Sequence, residues 1–247
     1  MKRKKIFTRR DAIATGLASL TGLLLPGCST PLPPTYGNIL RMGDALTYVA
    51  HRTLLPGQSL AKEYSLADIS SFPATGTINP ATSVERYARV QNSAFADWRL
   101  SIEGLVTKPG LYSLADLQQL PMRKQITRHT CEEGWTAIAE WTGVELRTVL
   151  EAVGMKPNAR YVNFFAYDGY ADAIDMTDAL HPQTILAYGM NGRELPIQHG
   201  APLRLRIENQ VGYKSMKYLE RIIVTDEFDD MGANGHIKNG WSWYVGI

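Results

Sequence analysis

Cysteine is scarce in this sequence. Among 247 residues there are two, Cys28 and Cys131, and Cys28 lies at the end of a basic and apolar N-terminal stretch. A structural zinc site takes four ligands, commonly several thiolates at close spacing. One remaining cysteine with scattered histidines fits such a site poorly. The sequence therefore leaves a single thiol, that of Cys131, to be explained in the folded part of the chain.

Long apolar runs and net charge are also lacking. The uncharged stretch at 12–25 covers about 14 residues, whereas a membrane-spanning helix needs about 20. Of the net charge of +2, the first 27 residues contribute +5, because six Lys and Arg stand against Asp11, and the remainder carries −3. This mildly acidic remainder gives no support to nucleic-acid binding. The sequence also has no haem-binding motif and no internal repeat.

The N-terminus has the pattern of an export signal. Arg9 and Arg10 precede a moderately apolar stretch, which is typical of a twin-arginine signal; an ordinary signal peptide is the alternative. Residues 25–28 (LPGC) resemble a lipoprotein cleavage box with Cys28 as the lipidated residue, although its proline is atypical. We predict a periplasmic protein with Cys28 as its candidate lipid anchor. The predicted divisions are a signal peptide at 1–27, a tether and N-terminal extension at 28–60, and one domain at 61–247.

Strand patterns outnumber helix patterns in the rest of the chain. Alternating or β-rich segments predict strands, and helical spacing with capping residues predicts short helices. Ser113 caps the start of one helix, and Gly154 stops another. This mixture favours an α+β fold with a mixed β-sheet over a regular doubly wound fold. The predicted strands are 98–106, 125–127, 161–167, 185–190, 203–207 and 218–224, and the predicted helices are 39–55, from 113, 144–153 and from 177.

Cys131 lies in the most chemically varied segment, residues 128–135 (RHTCEEGW). Such a thiol can be a nucleophile with His129 as its base, as in thiol hydrolases. It can be a soft thiolate ligand of a metal that an organic cofactor otherwise holds. It can also be a buried, inert cysteine, which is common. The segment alone leaves these alternatives open, and other histidines are available as a base: His181, His199 and His236.

A second group of polar residues lies further along the chain. His199 and Arg204 stand at the entrance of a predicted strand, and residues 212–218 (GYKSMKY) follow shortly after. The glycine allows close backbone approach, and the lysines and hydroxyl suit a phosphate. A solvated basic turn is the alternative. Two cationic loops so near in the sequence favour an anion site.

Together these segments resemble the molybdopterin-binding domain of the sulfite oxidase fold. The resemblance covers residues 64–247 and is closest to the bacterial exported branch, which includes the catalytic subunit of periplasmic methionine sulfoxide reductase. It rests on the runs 126–141 and 179–189, on LPIQHGAPLRLRIENQVGYKSMKYLERI, and on WSWYVGI. Taken jointly these runs are specific, although none decides the family by itself.

The resemblance implies a role for each matching residue. Cys131 is implied to be the thiolate ligand of molybdenum in Mo-molybdopterin, with one pyranopterin and terminal oxygen species completing the coordination. His199 and Arg204 are implied to hold the pterin and its phosphate. The other implied contacts are the pterin loop Phe72, Pro73, Ala74 and Thr75, a further pterin contact at Ala166, and Ser215, Met216 and Lys217 over the phosphate.

The resemblance also implies oxygen-atom transfer, with a difference beside the metal. Where animal and plant sulfite oxidases have an arginine-rich sequence after the metal-binding cysteine, this chain has Glu132 and Glu133. Each close contact between one of these carboxylates and the sulfite anion is repulsive by about 1 kcal/mol or more. We therefore expect reduction of an S-oxide or N-oxide, such as methionine sulfoxide, and sulfite oxidation is the alternative. Glu133 is the candidate proton relay if burial raises its pKa.

Electrons must reach such a site from outside, because this chain has no second redox motif. An exported enzyme without haem is expected to use a membrane cytochrome b or a soluble cytochrome as its electron partner. We expect a monomer that acts on a small-molecule or protein-bound oxide and has no nucleic-acid partner. Two other classes stay open: a non-catalytic, cofactor-bearing electron-transfer or binding protein, and a thiol hydrolase.

Overall fold

The structure of the chain is a computed structural model that describes residues 42–55, 59–229 and 241–247. All of these residues belong to one unit of the chain. Within them, no helix combines the length and the apolar character that a membrane crossing requires. The predicted export signal, Cys28 and His236 lie outside the described residues. Export, lipid anchoring and the divisions at residues 27 and 60 therefore stay predictions.

Short helices and many strands make up the described residues, as the α+β prediction expects. Ser113 caps its helix as predicted, since its hydroxyl accepts a hydrogen bond from the Asp116 N–H at 3.1 Å. The helices are α1 (Met42–Leu54), α2 (Glu85–Asn92), α3 (Leu114–Gln118), α4 (Leu146–Ala152) and α5 (Met176–Ala179). The strands are β1 (Leu100–Gly104), β2 (Gly110–Tyr112), β3 (Met122–Thr130), β4 (Thr136–Glu145), β5 (Tyr161–Ala166), β6 (Ala171–Asp175), β7 (Ile185–Met190), β8 (Arg193–Glu194), β9 (Arg204–Arg206) and β10 (Leu219–Thr225).

The strands form two sheets. One sheet has the order β2-β1-β10-β5-β6. It is mixed, because β1 runs parallel to β10 while the other neighbours are antiparallel. The other sheet has the order β3-β4-β7-β8, with β9 paired to β7, and all of its pairs are antiparallel. The predicted mixed sheet is thus confirmed, and a second, antiparallel sheet accompanies it.

Both sheets contribute to one hydrophobic core. Alternate residues of a strand point to opposite faces of its sheet, so each strand of the antiparallel sheet presents one face to this core. The face that it shares with the mixed sheet includes Val144, Leu186 and Leu205, which belong to the same cluster as Phe164 and Ile222. Each fully buried side chain of this kind contributes about 1.5–3 kcal/mol.

The opposite face of the antiparallel sheet carries a smaller cluster that positions the site. Trp141 from β4 and Ile185 from β7 are both fully buried there, and Phe72 packs against them from a loop. The same loop is fixed to β4 through Ser70. Its N–H donates to the Ile138 carbonyl at 3.0 Å, and its hydroxyl accepts from the Ile138 N–H at 2.9 Å.

The sequence pattern does not predict β4 or β6. Alanine and aspartate, which dominate β6, are weak strand formers, yet all five β6 residues are buried beside β5. The helix predicted at 144–153 begins only at Leu146, because β4 continues to Glu145. Gly143 allows β4 to approach β7 closely, since a Cβ there would lie 2.8 Å from the Ala187 Cα. Tertiary packing, rather than the local sequence, therefore determines the secondary structure of β4 and β6.

The chain termini of the described part meet on one side of the molecule. Tyr48 of α1 packs edge-on against Tyr244 with ring centroids 5.1 Å apart. The tail then pairs with residues that lead into the second cationic loop, because the Val211 N–H donates to the Val245 carbonyl at 3.0 Å. Arg52 of α1 adds an ion pair with Asp175 at 3.0 Å. These contacts of α1 and of the C-terminal tail therefore lie beside the segment that begins at Gly212.

Candidate active site

Cys131 is the first residue of the tight turn that joins β3 to β4. Its N–H donates to the Trp135 carbonyl at 2.9 Å, and its carbonyl accepts from the Gly134 N–H at 3.1 Å. Gly134 has φ of +90°, a conformation that glycine adopts readily. The long β3–β4 pairing continues up to Thr130 and Thr136. The thiol is therefore carried by a rigid hairpin end.

The thiol opens on a cavity of about 180 Å³ between this turn and three loops. Cys131 itself is only 5% exposed. Ala74 and Ala166 are outside the described cavity lining, and Ala166 is buried in the shared core. The structure brings the other predicted residues together around the cavity: Phe72, Pro73, Thr75, Cys131, Glu133, His199, Arg204, Ser215, Met216 and Lys217.

Phe72 joins the walls of the cavity through aromatic contacts. Its ring centroid lies 5.1 Å from that of His129 and 5.4 Å from that of His199. It lies 5.7 Å from Trp135 and 5.5 Å from Trp141, both in edge-on geometry. Such pairs add about 0.5–1.5 kcal/mol each beyond the area they bury. Phe72 thus anchors a loop whose composition alone is unremarkable.

Two cations of the cavity wall, the buried Arg204 and the half-buried Lys217, are held by carbonyl groups. Arg204 donates to the carbonyls of His199 at 2.9 Å and Ser215 at 2.7 Å. Lys217 donates to the Thr75 carbonyl at 2.8 Å and also to the Thr77 carbonyl. Neither cation forms an ion pair with a carboxylate of the described residues. They bind the loops together without a direct ion pair, although Glu208 acts to raise the pKa of Arg204 and Asp168 acts to raise that of Lys217.

The pKa shifts report a surplus of positive charge. Burial, together with Arg206, lowers the pKa of Arg204 to about 9. Burial, together with Arg204, lowers the pKa of Lys217 to about 8. Burial, together with Arg204 and Lys217, lowers the pKa of His199 to about 4. Each shift means that the charged form is disfavoured, so an anion in the cavity would be stabilised.

Lys214, the other lysine of the second cationic loop, does not take part. Its ammonium group is 2.6 Å from the Asp172 carboxylate and 2.8 Å from the Ala173 carbonyl, and the residue is only 1% exposed. The expectation that both lysines of residues 212–218 suit a phosphate is therefore wrong for Lys214. A carboxylate from β6, a strand that the sequence pattern does not predict, neutralises it.

His129 lines the cavity beside Cys131, but its contacts do not fit a catalytic base for the thiol. Its Nδ1 accepts a hydrogen bond from Arg206 at 2.7 Å. Burial, followed by Arg206, lowers its pKa to about 2. The Cys131 Sγ is instead near Glu132 and the Glu133 N–H, each at 3.5 Å, and burial raises its pKa to about 11. A thiol nucleophile needs the opposite shift, so the hydrolase alternative loses support.

Glu133 borders the cavity from the solvent side. It is exposed, and the Trp135 indole N–H donates to its carboxylate at 3.0 Å. The burial on which its predicted relay role depended is thus absent. Asp168 and Tyr170, from the loop between β5 and β6, line the cavity as well.

A metal site built from protein ligands alone is not supported by the described ranges. No group of three or more His, Cys, Asp or Glu side chains converges in them. The thiol of Cys131 is the free cysteine of the described chain. A metal at this cavity would need most of its ligands from another molecule.

Acidification is expected to destabilise the cofactor-free protein partly through His199. Its pKa is about 4 in the folded state and about 6.5 unfolded. Between pH 4 and pH 6.5 the unfolded chain binds more protons than the folded chain. The free energy of unfolding therefore rises with pH in this range, and the contribution of His199 to it is lost as pH falls from 6.5 to 4. Thermal unfolding across this range should show a shallower pH dependence in His199→Gln than in the unsubstituted protein. Parallel curves for the two proteins would contradict this assignment.

Comparison with known proteins gives a family match over most of the site. Residues 87–231 match the family model described as oxidoreductase molybdopterin-binding domain. Subunit YedZ1 of a candidate protein-methionine-sulfoxide reductase from Azospira oryzae is 40% identical over 152 residues, which are 61% of this chain and 56% of that protein. The protein-methionine-sulfoxide reductase catalytic subunit MsrP of Ralstonia nicotianae is 31% identical over 166 residues, covering 61% of this chain and 50% of MsrP. The chain thus spans about half the length of these curated relatives.

A solved structure shares the fold. The sulfane dehydrogenase SoxCD from Paracoccus pantotrophus aligns with a TM-score of 0.51 and 24% identity. The alignment covers 54% of this chain and 39% of the SoxCD chain. At this identity the likeness concerns the fold, and the α+β architecture predicted from the sequence agrees with it.

Proposed function

Since this chain belongs to the family of the oxidoreductase molybdopterin-binding domain, we propose that it reduces an S-oxide or N-oxide with Mo-molybdopterin as its cofactor. The family and the sulfite oxidase-type fold agree with the sequence resemblance. One observation carries the proposal. A single thiol and two cations that carbonyl groups hold, Arg204 and Lys217, line the same cavity.

The cavity fits the anionic part of the cofactor. A phosphate is stabilised most where buried donors and cations lack other anionic partners. Arg204 is buried and Lys217 half-buried, neither forms an ion pair within the described residues, and His199 lines the same cavity. Ser215 lines the cavity beside them, and its carbonyl accepts a hydrogen bond from Arg204 at 2.7 Å. These residues are proposed to hold the pterin and its phosphate.

The thiol fits the metal-containing part of the cofactor. A molybdenum ion that a dithiolene already holds needs only one protein ligand, and a soft thiolate suits it. Cys131 is proposed to be that ligand. The raised pKa of its thiol reflects burial and the nearby Glu132 carboxylate; metal binding would hold it deprotonated.

The charges around the thiol favour a substrate that is not an anion. The carboxylates of Glu132, Glu133 and Asp168 line the cavity, and Glu132 approaches the Cys131 Sγ to 3.5 Å. The basic residues Arg204 and Lys217 line the same cavity and are proposed to be occupied by the cofactor phosphate. A neutral sulfoxide avoids the like-charge repulsion that sulfite would meet. The names of the relatives from Azospira oryzae and Ralstonia nicotianae agree with methionine sulfoxide as the substrate.

The reaction consumes two electrons and two protons, and it converts a sulfoxide to a sulfide and water. When bound, the cofactor supplies the redox-active metal that accepts the oxygen atom. The aromatic wall of Phe72 and Trp135 excludes water from one side of the cavity. Glu133 lacks the burial first expected for a relay, and it is proposed only to pass protons between solvent and the cavity that it borders, with the Trp135 N–H orienting its carboxylate.

The protein is also proposed to work outside the cytoplasm. The support is the pair Arg9 and Arg10 before an apolar stretch, with Cys28 as a candidate lipid anchor. A membrane cytochrome b or a soluble cytochrome is the proposed electron donor to a monomeric enzyme. The substrate is proposed to be either a small-molecule oxide or methionine sulfoxide within a protein.

Purified protein from a host that makes the cofactor tests the proposal. We expect about one molybdenum per chain and a pterin released on denaturation. With a reduced dye as electron donor, the protein should turn over methionine sulfoxide, dimethyl sulfoxide or trimethylamine N-oxide. Sulfite oxidation without sulfoxide reduction would overturn the proposed direction and substrate, and a metal-free, active esterase would overturn the whole assignment.

A further inference from the structure

A buried polar chain ends at the histidine next to the thiol. His129 is only 8% exposed, lies two residues before Cys131, and lines the same cavity. Its Nδ1 is 2.7 Å from the Nη1 of Arg206. Arg206 is in turn held by Glu208 through two hydrogen bonds, Nη2 to Oε2 at 2.6 Å and Nε to Oε1 at 3.2 Å.

The direction of the hydrogen bond fixes the histidine tautomer. A guanidinium group has donors and no acceptor, so the Nδ1 of His129 must accept the hydrogen bond from Arg206. The ring proton of the neutral imidazole is therefore on Nε2. Within the described residues, this Nε2 has no hydrogen-bond partner, although Nδ1 does.

The supporting residues are buried deeply and do not reach the cavity. Arg206 is 1% exposed and Glu208 is 3% exposed, and a third residue, Gln125, donates to Glu208 at 2.9 Å. Burying such charges has a desolvation cost, and an ion pair in the interior is often no more stable than apolar side chains. Arg206, Glu208 and Gln125 are all absent from the described cavity lining. What they bring to the cavity is the orientation of the His129 ring.

The free edge of the ring faces the loop that follows β9. A Cβ on Gly212 would lie 2.5 Å from the Cε1 of His129, and closer still to its Nε2. Gly212 also lines the cavity, as do Ser215 and Lys217 of the same loop. The Nε2–H edge is therefore at the junction of the thiol turn and the loop proposed to hold the phosphate.

We propose that Glu208 and Arg206 hold His129 as a neutral, fixed N–H donor to the molybdenum cofactor beside Cys131. This inference rests on the proposed function. Groups that orient the ligands of a metal change its affinity by about 10–100-fold when they are removed. His129 binds the cofactor in this proposal, and Arg206 and Glu208 are positioning residues that act through it.

The matched substitutions are His129→Leu and His129→Gln. Leucine removes both ring nitrogens and keeps most of the volume, whereas glutamine keeps an N–H donor. After dilution into a chelator and a pterin scavenger, cofactor loss should be about 10-fold or more faster from His129→Leu. His129→Gln should retain the cofactor better than His129→Leu. Circular dichroism and thermal unfolding of the cofactor-free variants establish that both are folded.

Spectroscopy gives a second readout that does not depend on turnover. In the Mo(V) state, electron–nuclear double resonance of protein labelled with ¹⁵N-histidine should show a coupled nitrogen and an exchangeable proton. Both signals should disappear in His129→Leu. The double variant Arg206→Leu/Glu208→Leu removes the buried pair together, so it leaves no unpaired buried charge. It should speed cofactor loss while His129 itself remains.

The outcomes separate this inference from the proposed function. If His129→Leu holds molybdenum as long as the unsubstituted protein and has the same Mo(V) spectrum, the donor role is overturned while the molybdenum site stands. Unsubstituted protein that contains no molybdenum would overturn both.

Discussion

Replacing Cys131 by alanine is expected to abolish oxide reduction while the protein stays folded. The residue begins the turn of a hairpin, and the one backbone hydrogen bond that its sulfur accepts there, from the Glu133 N–H at 3.5 Å, is long and weak. It borders a cavity, so losing its sulfur should cost only about 1 kcal/mol of unfolding free energy. Groups that merely orient a metal ligand are worth about 10–100-fold in activity or affinity. Removing the ligand itself should therefore lower turnover by more than about 100-fold.

The measurement is metal content together with dye-dependent sulfoxide reduction. Cys131→Ser is the matched control, because it keeps the size of the side chain and offers a harder oxygen ligand in place of sulfur. We expect Cys131→Ala to lose molybdenum or its Mo(V) signal, with an unchanged circular dichroism spectrum. Full molybdenum occupancy and an unaltered Mo(V) signal in Cys131→Ala would show that the thiol is not the ligand.

Replacing Gly212 by alanine is expected to damage the site from the opposite wall. A Cβ would lie 2.5 Å from the His129 Cε1 and 3.0 Å from the Thr130 carbonyl oxygen. The imidazole cannot swing away freely, because Arg206 binds its Nδ1 and Phe72 packs against its ring. Overpacking of this kind costs about 1–3 kcal/mol, or about 2–12 °C in Tm for a domain of this size. Cofactor occupancy should fall by about 10-fold or more, since both the histidine and the phosphate loop must move.

A control and a double variant identify the cause of this effect. Gly43→Ala places the same methyl group in helix α1, where a Cβ meets no atom within 4 Å, and it should be neutral or stabilising by up to about 1 kcal/mol. Combining Gly212→Ala with His129→Ala removes the ring that the methyl group strikes. The double variant should recover part of the lost Tm. Additive effects of the two substitutions would mean that the clash with His129 is not the source.

Local sequence signals predict the regular parts of this fold well. The cap at Ser113 and the strands predicted at 185–190 and 218–224 all follow from short-range patterns, and the structure contains each of them. The same signals fail for β6, whose residues are poor strand formers and become a strand only because β5 pairs with them. Burial supplied by distant residues decides such segments.

Local sequence signals likewise identify some residues of the candidate site and miss others. Cys131, His199 and Arg204 stand out because their chemistry is unusual for their surroundings. The partnership of His129 with Arg206 joins residues 77 positions apart, and no local pattern indicates it. Lys214 and Lys217 look alike in the sequence, yet one is neutralised by Asp172 and the other is bound by carbonyls. Only the fold separates their roles.

The pairing of the tail with the start of the second cationic loop bears on when the pocket comes into existence during translation. Lys217 donates to the carbonyl of Thr75, which lies 142 residues earlier in the chain. Val211 pairs with Val245, which is synthesised later than either of them. At about 5–20 residues per second, the ribosome finishes the early strands seconds before this last pairing partner emerges. Contacts of such long range form late and slowly. Residues 241–247 must therefore be synthesised before the pairing beside Gly212, one of the residues that line the cavity, can form.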